Sequence, residues 1–179
     1  MTITTAVNHH LIGQPNSRWD ILTPALVLDL DALEQNIKTM AAWAKAGGHA
    51  LRPHGKSHKS PEIARLQAAA GAVGLCCASL REAQVMAAAG IKGLLITTPL
   101  APTKAPLVVA LARDGADIAA VADHQELIAA YGAAAEQAHV VLEIFVDLDV
   151  GLGRTGTPSA QIAVELAGQI NAHPALSYG

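Results

Sequence analysis

The feature that most constrains this chain is an alternation. Short runs rich in β-branched residues alternate with longer Ala-rich windows, with a period of roughly 20–25 residues. Strands are expected over residues 25–30, 50–56, 73–78, 93–98, 118–122 and 140–147, with another opening at 175–178. Helices are expected between them, over 31–46, 61–70, 80–89, 103–114, 123–137 and from 157 or 159 to 171. Asp31 and Asp123 sit where helix caps belong, Pro61 and Pro106 fit first turns, and Gly47, Gly48 and Gly90 fit helix ends. Strands alternating with helices in this way imply parallel βαβ units with right-handed crossovers. The strands are apolar almost throughout, as strands covered on both faces must be.

Two closures satisfy that pattern, a doubly wound open sheet and a (β/α)8 barrel. A dinucleotide-binding sheet calls for G-x-G-x-x-G after an early strand. Here the first two strands end in Asp29-Leu30-Asp31 and His54-Gly55-Lys56, which favours the barrel. A whole barrel takes about 250 residues. The 179 residues hold five strand–helix units after the first pair and one opening strand, so an incomplete barrel with open edges and uncovered apolar surface is expected.

Composition narrows the function. The chain is 51% apolar but 3% aromatic, and 12 Lys and Arg face 15 Asp and Glu for a net charge of −3. Disorder does not fit that apolar content. A nucleic-acid partner is not expected, because no basic cluster is present to neutralise phosphates. No membrane partner is expected either, since no run of about 18 apolar residues occurs. Residues 1–20 read as a polar lead-in, extended or poorly ordered, without the basic start and apolar stretch of a secretion signal, so a cytoplasmic location is expected. Cys76 and Cys77 point to opposite faces of one strand, which disfavours a disulfide between them, and they read as core thiols.

Chemistry in parallel α/β folds gathers at the C-terminal ends of strands. The most unusual end is Arg52-Pro53-His54-Gly55-Lys56-Ser57-His58-Lys59. Strand alternation puts Arg52, His54 and Lys56 on one face, and the barrel mouth is the place where three such groups are least costly. A lysine among cations in a confined site is freed as a nucleophile, the arrangement a Schiff base to a carbonyl cofactor needs. The alternatives are a solvated basic loop, or a zinc pair of His54 and His58, against which Pro53 and Gly55 break the helix that four-residue spacing requires.

A second candidate follows the strand ending at Asp147. In Gly151-Leu152-Gly153-Arg154-Thr155-Gly156, the glycines permit sharp turns and Arg154 offers a planar cation to an anionic oxygen. By itself this is also what a surface turn looks like. Thr97 and Thr98 end a strand and either face the mouth or satisfy backbone groups. Glu143 and Asp147 share a strand face, as a cofactor-facing carboxylate or as part of a buried ion pair.

The order TPALVLDLDALEQNI, LRPHGKSHKSPEIARLQ, GAVGLCCASLREAQVMAAAGI and FVDLDVGLGRTG resembles the D-threonine aldolase group, with its 3-hydroxy-D-aspartate aldolases and D-serine dehydratases, on the alanine-racemase-like fold. The resemblance runs from Thr23 almost to the end. It implies a pyridoxal 5'-phosphate-binding barrel of the (β/α)8 type over residues 49–179, incomplete here. It implies a linking strand and helix over 23–48, whose strand belongs to a C-terminal β-domain, and a lead-in over 1–22. Lys56 matches the lysine that binds the cofactor as a Schiff base, and Arg154 matches an arginine beside the cofactor ring. His54, on the face of Lys56, is expected to line the cofactor too. The implied activity is a lyase that splits D-β-hydroxy-amino acids into glycine and an aldehyde. Dehydratase, racemase, non-catalytic cofactor binder and inactive fragment are the alternatives. A homodimer and a divalent metal (Mn, Mg or Zn) with ligands beyond residue 179 are further implications. Group members often carry Cys where Thr155 stands, and a Gln/Lys pair where Ala78-Ser79 stand.

Overall fold

A computed structural model describes residues 7–179. Six α-helices and five strands lie along them, alternating from α2 onward: α1 (Leu30–Ala46), α2 (Pro61–Ala69), β1 (Leu75–Cys77), α3 (Leu80–Ala88), β2 (Leu94–Ile96), α4 (Ala105–Arg113), β3 (Ile118–Ala122), α5 (Gln125–Ala138), β4 (Leu142–Val146), α6 (Ala160–Ala172) and β5 (Leu176–Tyr178). The chain divides into two compact units, one up to Asn36 and one from Ile37 to Gly179.

In the larger unit the five strands form one sheet in the order β1-β2-β3-β4-β5, each pair parallel. A doubly wound sheet reverses its strand order at a switch point; this one does not. Same-handed crossovers between sequential neighbours put the helices on one face, as in a barrel wall. Burial follows that rule. Leu75, Cys77, Leu94, Ile96, Ile118, Ala120, Ala122, Leu142, Ile144 and Leu176 alternate onto the helix-covered face and join the core with Val108, Leu127, Tyr131, Leu166 and Ile170. Each large aliphatic side chain buried there contributes about 1.5–3 kcal/mol. The other face carries Cys76, Leu95, Ala119, Val121, Glu143, Phe145 and Ser177, from buried Ala119 and Val121 through half-buried Cys76 to exposed Glu143. The expectation of strands apolar on both sides therefore fails at Glu143. Neither Glu143 nor Asp147 forms an ion pair among the described residues.

Serines start three helices as caps. Ser60, Ser79 and Ser159 accept the backbone N–H of Ile63, Glu82 and Ile162 at 3.2–3.3 Å, each worth about 1 kcal/mol. Pro61 and Pro106 lie in first turns, as expected.

Several expectations are corrected. Residues 25–30 form no strand: 25–29 carry no regular structure and make no ladder among the described residues, and Leu30 already belongs to α1. A strand needs a neighbour to receive its N–H groups, none pairs with this segment among the described residues, and Leu26, Val27 and Leu28 are exposed. The cap of α1 is Asp29, whose carboxylate accepts Ala32 N–H at 3.0 Å; Asp31 lies in the first turn. Residues 50–56 are likewise not a regular strand. Pro53 cannot donate to a ladder, and contact with β1 is reduced to one bridge, His54 to Cys76, before a 3-10 turn at Gly55–Ser57. Asp123 caps no helix, because His124 holds the cap position of α5 without a side-chain bond. The lead-in, read as extended or poorly ordered, contains 3-10 turns at His9–Leu11 and Ser17–Trp19, and its residues 1–6 lie outside those described.

Candidate active site

All three residues singled out from the sequence stand at the C-terminal end of the sheet. Lys56 and His54 are beside β1, and Arg154 follows β4. The two groups are built separately.

The lysine side begins with backbone bonds from Val73 N–H to Leu51 O (2.9 Å) and Cys76 N–H to Pro53 O (2.7 Å), which lash residues 51–53 to the edge of β1. Gly55 is then buried against Leu75 and turns the chain, placing Lys56 exposed on the 3-10 turn. Lys59 N–H closes the turn on Gly55 O at 2.8 Å. The Lys59 ammonium lies 3.9 Å from Glu82, whose other carboxylate oxygen accepts Ala78 N–H at 2.8 Å. Next along, His58 Nδ1 accepts Ser60 N–H at 3.0 Å, so His54 and His58 are each engaged by local backbone. No group of three or more metal-ligating side chains exists among the described residues.

His54 is the centre of this side. Its Nδ1 accepts Lys56 N–H at 3.3 Å, and its Nε2 lies 3.2 Å from the Thr97 hydroxyl at the end of β2. Burial, then the nearby Lys56 charge, lower its pKa from the ordinary 6.5 against an opposing pull from Glu82, so the ring is neutral at pH 7. Arg52 Nε is buried with no partner among the described residues. For Thr97 the sequence leaves two options, facing the mouth or satisfying backbone groups; its hydroxyl lies 3.2 Å from His54 Nε2 and also 3.3 Å from the Cys77 carbonyl, so it serves both.

The arginine side is a loop folded on itself. Asp149 accepts Gly151 N–H at 2.9 Å and Gly153 N–H at 3.0 Å, bonds that hold its carboxyl below the usual 3.8, Gly153 foremost and then Gly151. Thr157 N–H returns to Asp147 O at 2.8 Å and Asp149 N–H to Thr157 O at 3.0 Å, closing the base of the loop. Gly156 sits at φ +100 with no room for a side chain, since a Cβ would lie 2.5 Å from Asp149 N. Its N–H donates to Asp123 Oδ2 at 3.1 Å, so the end of β3 anchors the loop that follows β4. Arg154 rides exposed on this frame and has no polar partner among the described residues. The sequence gives Asp123 the look of a helix cap; only the fold brings it, 33 residues away, to Gly156.

The parallel, sequentially ordered sheet has counterparts among known proteins. Residues 28–178 match the family described as "Alanine racemase, N-terminal domain", and the chain belongs to it. It is 41% identical over 161 residues to the 3-hydroxy-D-aspartate aldolase of Paracoccus denitrificans, covering 89% of this chain and 42% of that protein. It is 40% identical over 167 residues to the D-threonine aldolase of Arthrobacter sp, covering 93% and 43%. The crystal structure of D-threonine aldolase from Filomicrobium marinum superposes with a TM-score of 0.85 at 38% identity, over 89% of this chain and 43% of that one. The chain thus spans about two fifths of the length of the relatives it matches.

Proposed function

We propose that Lys56 holds pyridoxal 5'-phosphate and that the protein carrying this chain is a lyase acting on D-β-hydroxy-amino acids of the D-threonine or 3-hydroxy-D-aspartate type. The observation that carries this reading is the placement of Lys56: an exposed primary amine on a pinned turn at the sheet's C-terminal end, in a chain 41% identical to an aldolase of this kind. The residues present suit such a cofactor. An amine is what an aldehyde requires, and Arg52 Nε, Lys56 and Arg154 offer donors and charge to an anionic ligand. When bound, the cofactor supplies an electron sink that lowers the cost of breaking a bond at the amino-acid Cα.

The chain's own groups then have distinct tasks. Lys56 Nζ is the covalent anchor. His54, neutral, lines the anchor side and holds the Lys56 backbone through Nδ1. Arg154, permanently charged, would offer its guanidinium to an anionic oxygen of the cofactor from the loop after β4, a loop held by its own backbone bonds. None of the described residues is assigned to a metal.

The whole protein, given pyridoxal phosphate, is expected to develop a visible absorption band and to release glycine and an aldehyde from D-threonine or 3-hydroxy-D-aspartate. Lys56→Ala is expected to lose both. A band that persists in Lys56→Ala overturns the anchor, and release of a 2-oxo acid with ammonia overturns the aldol reading in favour of dehydration.

A further inference from the structure

Thr97 has no part in the function as described, yet its hydroxyl ends a chain of bonds that begins at Lys56. Each bond in that chain has only one workable direction. Lys56 N–H can only donate, so His54 Nδ1, 3.3 Å away, must carry its lone pair. In the neutral ring the proton is then on Nε2, which donates to Thr97 Oγ1 at 3.2 Å. The Thr97 hydroxyl is left free to donate, and the carbonyl of Cys77 lies 3.3 Å from it. That same carbonyl accepts Thr97 N–H at 3.0 Å, which fixes the threonine backbone against β1. His54 bridges to Cys76 on β1, and Cys76 pairs with Leu95, two residues before Thr97 on the same sheet face. The imidazole therefore reaches across β1 and ties the irregular edge segment to the regular sheet two strands in.

We infer that Thr97 is a positioning residue: by holding the His54 ring it fixes the Lys56 backbone amide, and so presets the turn from which the Lys56 amine projects. This rests on the reading of Lys56 as the cofactor anchor. Pro53 and the 3-10 turn leave this edge with one bridge where a strand would have a ladder. The side-chain chain replaces the missing ladder bonds at the residue where aim matters. Threonine suits the task because its hydroxyl both accepts and donates, whereas valine, of the same shape, does neither.

The test uses the whole protein as wild type, Thr97→Val and Thr97→Ser, with two readouts. One is hydrogen exchange of the Lys56 amide, taken against the Leu94 and Leu142 amides as core references. The other is the rate at which the cofactor absorption band grows after pyridoxal phosphate is added. For Thr97→Val we expect Lys56 exchange to quicken about five- to tenfold, the worth of one neutral hydrogen bond, with band formation slowed by a similar factor and the references unmoved. Thr97→Ser is expected to stay within about twofold of wild type on both, because it keeps the hydroxyl. The inference is overturned if Thr97→Val leaves Lys56 exchange unchanged, or if the core amides quicken in step with Lys56, which would make Thr97 merely a stabilising residue. A wild type with no cofactor band whose Lys56 exchange still answers to Thr97→Val would overturn the anchor reading while supporting the bond chain.

Discussion

Replacing Gly55 by alanine tests how the lysine turn is seated. Gly55 has ordinary negative φ, so backbone strain is not the issue; space is. A Cβ there would lie 2.9 Å from Leu75 Cδ2, 3.3 Å from its Cγ and 3.4 Å from Cys76 O. The first two are well inside the roughly 3.5–4.0 Å optimum for carbon pairs. Leu75 is 1% exposed in the core and cannot swing into solvent. Overpacking a dense core costs about 1–3 kcal/mol. The colliding atoms end a side chain, not a backbone, so the lower part of that range, about 1–2 kcal/mol, is expected. The assay is a double-mutant cycle with Leu75→Ala, read by denaturant midpoints. Leu75→Ala alone should cost about 2–5 kcal/mol through the cavity it leaves. In that background Gly55→Ala should cost nothing or return part of the loss, because the obstructing atoms are gone. A cost of about 1–2 kcal/mol in both backgrounds would refute the steric argument.

Three other outcomes follow from the structure. Asp149, with its carboxyl held below the usual 3.8, supports its loop fully at neutral pH, and that support disappears as pH falls through the lowered value; Gly151 and Gly153 amide shifts should titrate with a midpoint below 3.8, and a midpoint above it would contradict the assigned bonds. The Cys77 thiol is pushed up to about 12, chiefly by burial and further by Glu82 and Cys76, and Cys76 is raised less strongly. Native protein at pH 8 should therefore leave Cys77 unlabelled by a thiol reagent until denaturant is added, and rapid double labelling would show β1 to be open. The Tyr131 hydroxyl is fully buried in α5 without a partner among the described residues; Tyr131→Phe should raise stability by about 1 kcal/mol, and a comparable loss in thermal or denaturant melts would reveal a hidden bond.

The barrel-type order of strands was legible because period and composition are long-range patterns that survive local error. Ile118 to Ala122 is a strand at the expected residues, and Leu75, Leu94 and Leu142 begin strands within two residues of expectation. The failures are at edges. Residues 25–30 and 50–56 carry strand-like residues, but strand propensity describes fit to a neighbour, and these segments have little or no ladder to join. Lys56, His54 and Arg154 could be singled out because a lysine after His-Gly and an arginine among glycines break an otherwise apolar rhythm. Thr97 and Asp123 could not be assigned in the same way. Both are polar residues at strand ends with an ordinary local explanation, and their partners, His54 and Gly156, stand 43 and 33 residues away.

The two supports of the candidate site share no residue. Lys56 depends on His54, Thr97 and the carbonyl of Cys77, whereas Arg154 depends on Asp149, Gly156 and Asp123. Variation can therefore act on one without disturbing the other, and changes made on both sides should add. A lineage, or an engineer, could hold the lysine turn constant and vary the arginine loop in separate rounds of selection.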